Sequence, residues 1–169
     1  MVANLSAHKR GWDDRWEEFS IWAERGQTHI DRLLYLVDED TQSFNRIMAA
    51  FQLPKGTDEE LAARKEAIQA ATKYAIEIPL EVMQTCYKSM EVMEAMAKFG
   101  NPNSITDAGV GALCARTGVL GAFMNVKINC GDCDDKDFVQ KVLAEGNTLQ
   151  EKAMRLEDEI RELVEKEIS

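Results

Sequence analysis

From Lys136 to about Glu167 the chain repeats apolar residues at helical spacing. Val142, Leu149, Leu156 and Leu163 recur every seventh position. Val139, Ala153 and Ile160 occupy companion positions, and Gly146 weakens that second row. A seven-residue repeat lays a continuous apolar seam along one side of a helix, and such a seam requires a partner helix along its length. The rest of the chain can supply one, because only three prolines and ten glycines interrupt 169 residues. No stretch reads as a convincing strand. Asn125-Val-Lys-Ile-Asn129 alternates, yet reads better as helix or helix end. There is no internal repeat and no linker. The prediction is an all-α fold, a bundle of long antiparallel helices forming a single domain over residues 1–169.

The punctuation fixes where those helices change direction. Met1 to Ser6 reads as the last turns of a helix, followed by a basic turn at His8-Lys9-Arg10-Gly11. Trp12, Trp16, Phe19 and Trp22 form an aromatic stripe that reads as core-facing, and Gly26 caps or interrupts that helix. Phe44, Ile47, Met48 and Phe51 share one helical face that requires burial, and Leu53-Pro54-Lys55-Gly56 ends the segment. Thr57, with Glu60 three residues later, predicts a capping box. Pro79 removes one backbone donor and predicts a kink or break. Met83, Met90, Met93 and Met96 read as adaptable core filler. Gly100 to Ser104 is a loop. Ile105–Cys114 and Thr117–Ile128 are two segments rich in glycine and alanine, which predicts close helix packing, within the chain or across a dimer.

Composition excludes several functions. A formal charge of −10 argues against nonspecific nucleic acid or anionic membrane partners. No uninterrupted apolar run approaches the ~18 residues of a membrane span. Cys86, Cys114, Cys130 and Cys133 are too few and too unevenly spaced for a disulfide scaffold, which fits a reducing, cytoplasmic setting. Cys130-Gly-Asp-Cys133 lacks the second ligand pair of a zinc site and the βαβ context of a thioredoxin-like site, so no metal site is expected. His8 and His29 are too few for a histidine-rich one.

The acidic group Asp38-Glu39-Asp40 is left as the chemical candidate, either a solvated helix shoulder or a carboxylate at the mouth of a site. Asp40 stands four residues before Phe44 and so shares the apolar stripe, whereas Asp38 and Glu39 are rotated away. A carboxylate on a buried apolar face needs a partner or acquires a raised pKa, the property a general acid requires near neutrality. Asp107 reads first as the N3 acid of a capping box with Ser104, and second as a polar group at a helix start.

Three segments taken together are recognisable: LVDEDTQSFNRIMAAFQLPKGTDEE, GNPNSITDAGVGAL and GAFMNVKIN. In this order and spacing they resemble the cyclodeaminase domain of formiminotransferase-cyclodeaminase and, equally, the methenyltetrahydrofolate cyclohydrolases of the same family. The resemblance covers almost the whole chain. It implies an all-helical domain that forms a homodimer or higher homo-oligomer, with a folate groove at the interface. It implies ring closure of 5-formiminotetrahydrofolate to 5,10-methenyltetrahydrofolate with release of ammonia, without metal or redox cofactor. The substrate it implies is a tetrahydrofolate derivative, polyglutamylated or not. The family's proton-donor aspartate matches Asp40. Asn101, Asp107, Asn125 and Asn129 fall in recurrent family motifs as groove-lining or structural groups. Lys9, Arg10, Lys55 and Lys127 are the candidates for the glutamate tail.

Two alternatives stay open, hydrolysis of methenyltetrahydrofolate and a non-catalytic helical oligomerisation module. Family members carry a glycine-rich PGGGS-type segment and a small-residue helix ahead of the MVANLS match, and bifunctional members a formiminotransferase domain upstream. The resemblance therefore implies that the chain is a fragment or starts at an internal methionine.

Overall fold

A computed structural model describes all residues, Met1–Ser169. Five helices follow in order: α1 (Val2–Ala7), α2 (Trp16–Phe51), α3 (Asp58–Phe99), α4 (Ile105–Cys130) and α5 (Lys136–Ile168), with short 3-10 turns at Asp13–Arg15 and Pro102–Ser104. The all-α reading holds, and from α2 onward each helix reverses the one before. Helices α3 and α4 are the centre. Helix α5 packs against both, while α2 rests on α3 and barely touches α4 or α5. The main core joins Met83, Cys86 and Met90 of α3 to Val119, Phe123 and Val126 of α4 and to Val142 and Ala153 of α5. A smaller one gathers Val2, Ala3, Phe19, Ala95, Met96 and Ala108 around α1.

Local chemistry sets the helix ends. The Thr57 hydroxyl accepts from the Glu60 N–H, and the Glu60 carboxylate accepts from the Thr57 N–H, so the capping box forms as predicted. Asp135 caps α5 by accepting from the Phe138 N–H. The turn before it is clamped by α3. Gln69 donates to the Asp132 carbonyl and accepts from the Asp134 N–H, at 3.0 and 2.7 Å. Lys65 and Lys73, one turn to either side, pair with Asp134 and Asp135.

Several expectations are corrected. Gly26 neither caps nor interrupts: α2 runs through it for 36 residues. Pro79 does not break α3, which continues for 42 residues. The carbonyl of Ala75, deprived of its helical donor by the proline, instead accepts from Asn129 Nδ2 of α4 at 2.7 Å. The two glycine- and alanine-rich segments are one helix, α4. Residues 102–130, its preceding turn included, are long and apolar enough in composition to cross a membrane. This qualifies the sequence expectation, because small residues raise the average without any solid apolar run. In the fold this helix packs on α3 and α5.

On α5 the companion row proves the tighter seam. Gly146, Ala153 and Ile160 are buried, whereas Leu149, Leu156 and Leu163 are half-exposed. Gly146 is required there, since a β-carbon would lie 2.2 Å from the ring of the fully buried Phe123. Only Phe19 of the aromatic stripe is fully buried. Trp12 stacks on it, and Trp16 is exposed.

The largest departure concerns α2. Its buried row is Leu36, Ser43 and Ala50, spaced by sevens, and the small side chains let α3 approach. The row predicted to be buried faces outward: Phe44 is 62% exposed and Phe51 51%. Periodicity pointed to the larger apolar row, whereas the single chain buries a row of mostly small residues and leaves the aromatic row uncovered.

Candidate functional site

Helices α2 and α4 run side by side in the same direction without closing on each other, and α3 forms the floor between them. The resulting trough holds three cavities. The first lies at the α1 end, about 230 Å³, lined by Trp22, Gly26 and Ile30 of α2, Met93 and Met96 of α3, and Asp107 and Gly111 of α4. The middle one, about 520 Å³, is bounded by Leu33, Val37, Asp40 and Thr41 of α2, Pro79 and Val82 of α3, and Thr117, Gly121 and Asn125 of α4. The third, about 320 Å³, is lined by Ile47, Phe51, Thr72, Ala75, Asn129 and Asp132.

The middle cavity brings Asp40 and Asn125 together from opposite walls, and adds the hydroxyls of Thr41 and Thr117. Its small residues explain its volume. Gly118 packs where a β-carbon would meet the sulfur of Cys86 at 2.7 Å, drawing α4 down onto α3, and Gly121 beside it is open. Ser43, buried one turn along α2, donates to the Asp40 carbonyl at 2.8 Å and braces that turn. The Asp40 carboxylate is solvent-exposed, in contrast to the sequence expectation of a buried stripe. The arrangement offers a carboxyl, an amide opposite it and two hydroxyls, in an otherwise apolar trough open on one side.

Other sequence-derived residues lie elsewhere. Asp107 is exposed in the first cavity, and the predicted Ser104–Asp107 capping box is absent because Ser104 makes no side-chain cap. Asn101 organises the α3–α4 connection: its side chain accepts from the Asn103 N–H and its own N–H donates to Ser6 Oγ. Asn129 lines the third cavity, its amide engaged by Ala75. Lys9 lies over the Trp12 ring at 4.1 Å, and Arg10 is exposed beside it. These two precede α2, while Lys55 follows it, so about 54 Å of helix separates them. One chain does not gather them around one ligand. Lys127 stands over the Phe123 ring at 3.9 Å, exposed, two residues beyond Asn125. Cys130 and Cys133 are both buried free thiols, and burial pushes that of Cys130 up.

Sequence reasoning set Glu39 aside, yet it is the half-buried member of the acidic group. It accepts from the Tyr74 hydroxyl of α3, and that bond, with a second from Tyr35, holds its carboxylate below the usual range. Arg46 lies over the Tyr74 ring at 3.9 Å and adds to the effect. Glu39 is thus a fixed anion tying α2 to α3. The signal was present: Glu39 stands three residues after Leu36 and four before Ser43, on the row that is buried.

Comparison with known proteins agrees with this architecture. Residues 1–148 match the family model described as Formiminotransferase-cyclodeaminase. A methenyltetrahydrofolate cyclohydrolase of Methylorubrum extorquens is 34% identical over the whole chain, which covers 81% of that protein. The formimidoyltransferase-cyclodeaminase of Rattus norvegicus is 36% identical over 65% of this chain, and the matched part is 20% of the rat protein. The crystal structure of a formiminotetrahydrofolate cyclodeaminase from Thermotoga maritima superposes with a TM-score of 0.85 at 23% identity, covering 100% of this chain and 80% of that one.

Proposed function

Because the chain belongs to the formiminotransferase-cyclodeaminase family, we propose that the middle cavity carries one-carbon chemistry on a tetrahydrofolate, with Asp40 as proton donor. The observation that carries this reading is the pairing of Asp40 with Asn125 across a cavity of about 520 Å³. In ring closure, N10 of 5-formiminotetrahydrofolate attacks the formimino carbon and a C–N bond forms. The nitrogen that leaves must gain protons to depart as ammonia, and the methenyl bridge remains. Asp40 supplies a proton to that nitrogen, Asn125 orients the amidine, and the trough holds the pterin against Val82 and Pro79.

A second reading has one observation in its favour. A relative that matches the whole length of this chain is named a cyclohydrolase. There, water adds to the methenyl carbon and one C–N bond opens, with Asp40 giving its proton to the departing ring nitrogen. The same carboxyl serves both reactions, so substrate presentation distinguishes them. One preparation given each substrate is followed by methenyl absorbance and by ammonia. Ammonia release with rising methenyl absorbance assigns the cyclodeaminase, and loss of methenyl absorbance above the uncatalysed rate assigns the cyclohydrolase. Asp40→Asn is expected to lower turnover by about a hundredfold or more. Parental activity in that variant removes Asp40 from the role. Absence of any folate heat in calorimetry favours the non-catalytic module instead.

The exposed row on α2 supports a homodimer or higher homo-oligomer in this reading. Leu34, Val37, Phe44, Met48 and Phe51 lie along α2, and Met124 and Ile128 along α4, all exposed beside the trough. Contiguous apolar surface of this kind marks an association face. A second copy on that face would exclude water from Asp40 and close the open side of the cavity.

A further inference from the structure

Asn125 and Asn129 stand one turn apart on α4, yet they do different things. Asn125 lines the Asp40 cavity. The amide of Asn129 points to α3, where Pro79 interrupts the helical hydrogen bonds and leaves the Ala75 carbonyl without its donor. Asn129 Nδ2 meets that carbonyl at 2.7 Å. Pro79 is buried and forms part of the wall facing Asp40. Ala75 is buried as well, so without Asn129 its carbonyl would be left unsatisfied in the interior. The proline and the asparagine thus form one device across two helices: the proline frees a carbonyl, and the asparagine uses it to fix α4 to α3 at the edge of the site.

We propose that Asn129 is a positioning residue that acts on the Asp40 site through Pro79, rather than a contact of the substrate. It sets the separation between the Pro79 wall and the Thr117–Asn125 wall, and hence where the reacting carbon sits relative to Asp40. This rests on the reading that the Asp40 cavity is the reaction site. Displacements of about 1 Å at such a site cost up to about a hundredfold in rate.

The test is a double-mutant cycle. Asn129→Asp keeps the shape and replaces the amide donor by an acceptor. Asn129→Ala removes the group and guards against misfolding of the aspartate variant. Pro79→Ala restores an N–H to the Ala75 carbonyl and removes the need for the amide. In the parental background, Asn129→Ala is expected to lower kcat about tenfold with KM changed less than about threefold. In the Pro79→Ala background the same substitution should lower kcat by less than about threefold. Denaturation midpoints of the parent, Asn129→Ala, Pro79→Ala and the double variant should show the same coupling independently of activity. Equal losses in both backgrounds, or a loss confined to KM, would overturn the proposal and make Asn129 a direct contact. A parent inactive on both folates, with the stability coupling intact, overturns the site reading and the positioning role with it while leaving the Asn129–Pro79 link standing.

Discussion

Glu157 gives the sharpest energetic prediction. It sits on α5 with 0% exposure, in the row that packs on α4. A carboxylate there is tolerable only if its charge is matched. Arg116 of α4 reaches Oε2 at 2.7 Å, and Arg161, one turn on along α5, reaches Oε1 at 3.1 Å. Removing one partner from a buried ion pair typically costs about 3–5 kcal/mol, chiefly because the other charge is left uncompensated. Arg116 is 34% exposed and Arg161 50%, so solvent screens both. Arg161 also remains after Arg116 is lost. Both considerations lower the figure, and Arg116→Met is expected to cost about 2–3 kcal/mol.

Arg161→Met, which removes the more exposed cation, should cost about 1 kcal/mol. Adding Glu157→Met to Arg116→Met removes the stranded charge and substitutes apolar contact, so the double variant should recover most of the loss. Urea denaturation at neutral pH with a constant slope reads all of these. The reasoning is refuted if Arg116→Met stays within about 0.5 kcal/mol of the parent, the range expected of an ordinary surface substitution. It is refuted equally if the double variant is no more stable than Arg116→Met.

Gly146→Ala gains about 1 kcal/mol of helix propensity, but its methyl would enter the Phe123 ring, so a net destabilisation of about 1–2 kcal/mol is expected in the same assay. Glu39 and Asp135 both have carboxyls held below their ordinary range, Glu39 by the Tyr74 hydroxyl and Asp135 by Lys73. Groups with depressed pKa stabilise the fold above their unfolded value of about 4 and lose that contribution as pH falls through the folded one. Glu39→Gln and Asp135→Asn should therefore be less stable than the parent at pH 7 and lose less stability on acidification. Helical signal recorded during acid titration checks this. Phe44→Glu and Phe51→Glu should leave helicity nearly unchanged, since both rings are mainly exposed in the single chain, while the urea midpoint falls by what association contributes to the parent. Sedimentation should then show the parent associated and the variants shifted toward monomer, and an unshifted variant distribution would place the contact elsewhere.

Much of the fold was legible because it depends on local chemistry. The capping box at Thr57, the seam of α5, the acidic turn before it and the helix boundaries at Pro54 and Gly100 each involve residues close in sequence. What was not legible depends on contacts between distant residues. Pro79 continues its helix because Asn129, fifty positions later, supplies a donor. Gly146 marks the tight side of α5 because Phe123 fills its place. Glu39 is the anchored carboxylate because Tyr74 lies opposite. The Asp40 cavity follows the same rule. The sequence singled out Asp40 and Asn125, but the threonines and Pro79 that complete the lining are unremarkable until α2, α3 and α4 are set side by side.

Two sequence expectations about α2 differ from the single chain, and one cause accounts for both. The Phe44 and Phe51 row was expected to be buried, and Asp40 was expected to share that buried environment. Both are exposed, and they lie on the same flank of the helix. Helix α2 rests on α3 along its Leu36, Ser43 and Ala50 row and, beyond the α1 contact at Phe19, has little else to lean on, because α4 stays across the trough and α5 is on the far side. Whatever covers the aromatic row therefore also covers the mouth of the Asp40 cavity. If Asp40 is the proton donor proposed above, water exclusion at its carboxyl and burial of the apolar face become a single association event. A variant that abolishes association without touching the cavity, such as Phe51→Glu, should accordingly lose turnover in proportion to its loss of the associated form. Raising protein concentration should restore both together. Full activity in a purely monomeric variant would separate the two and leave Asp40 working in open solvent.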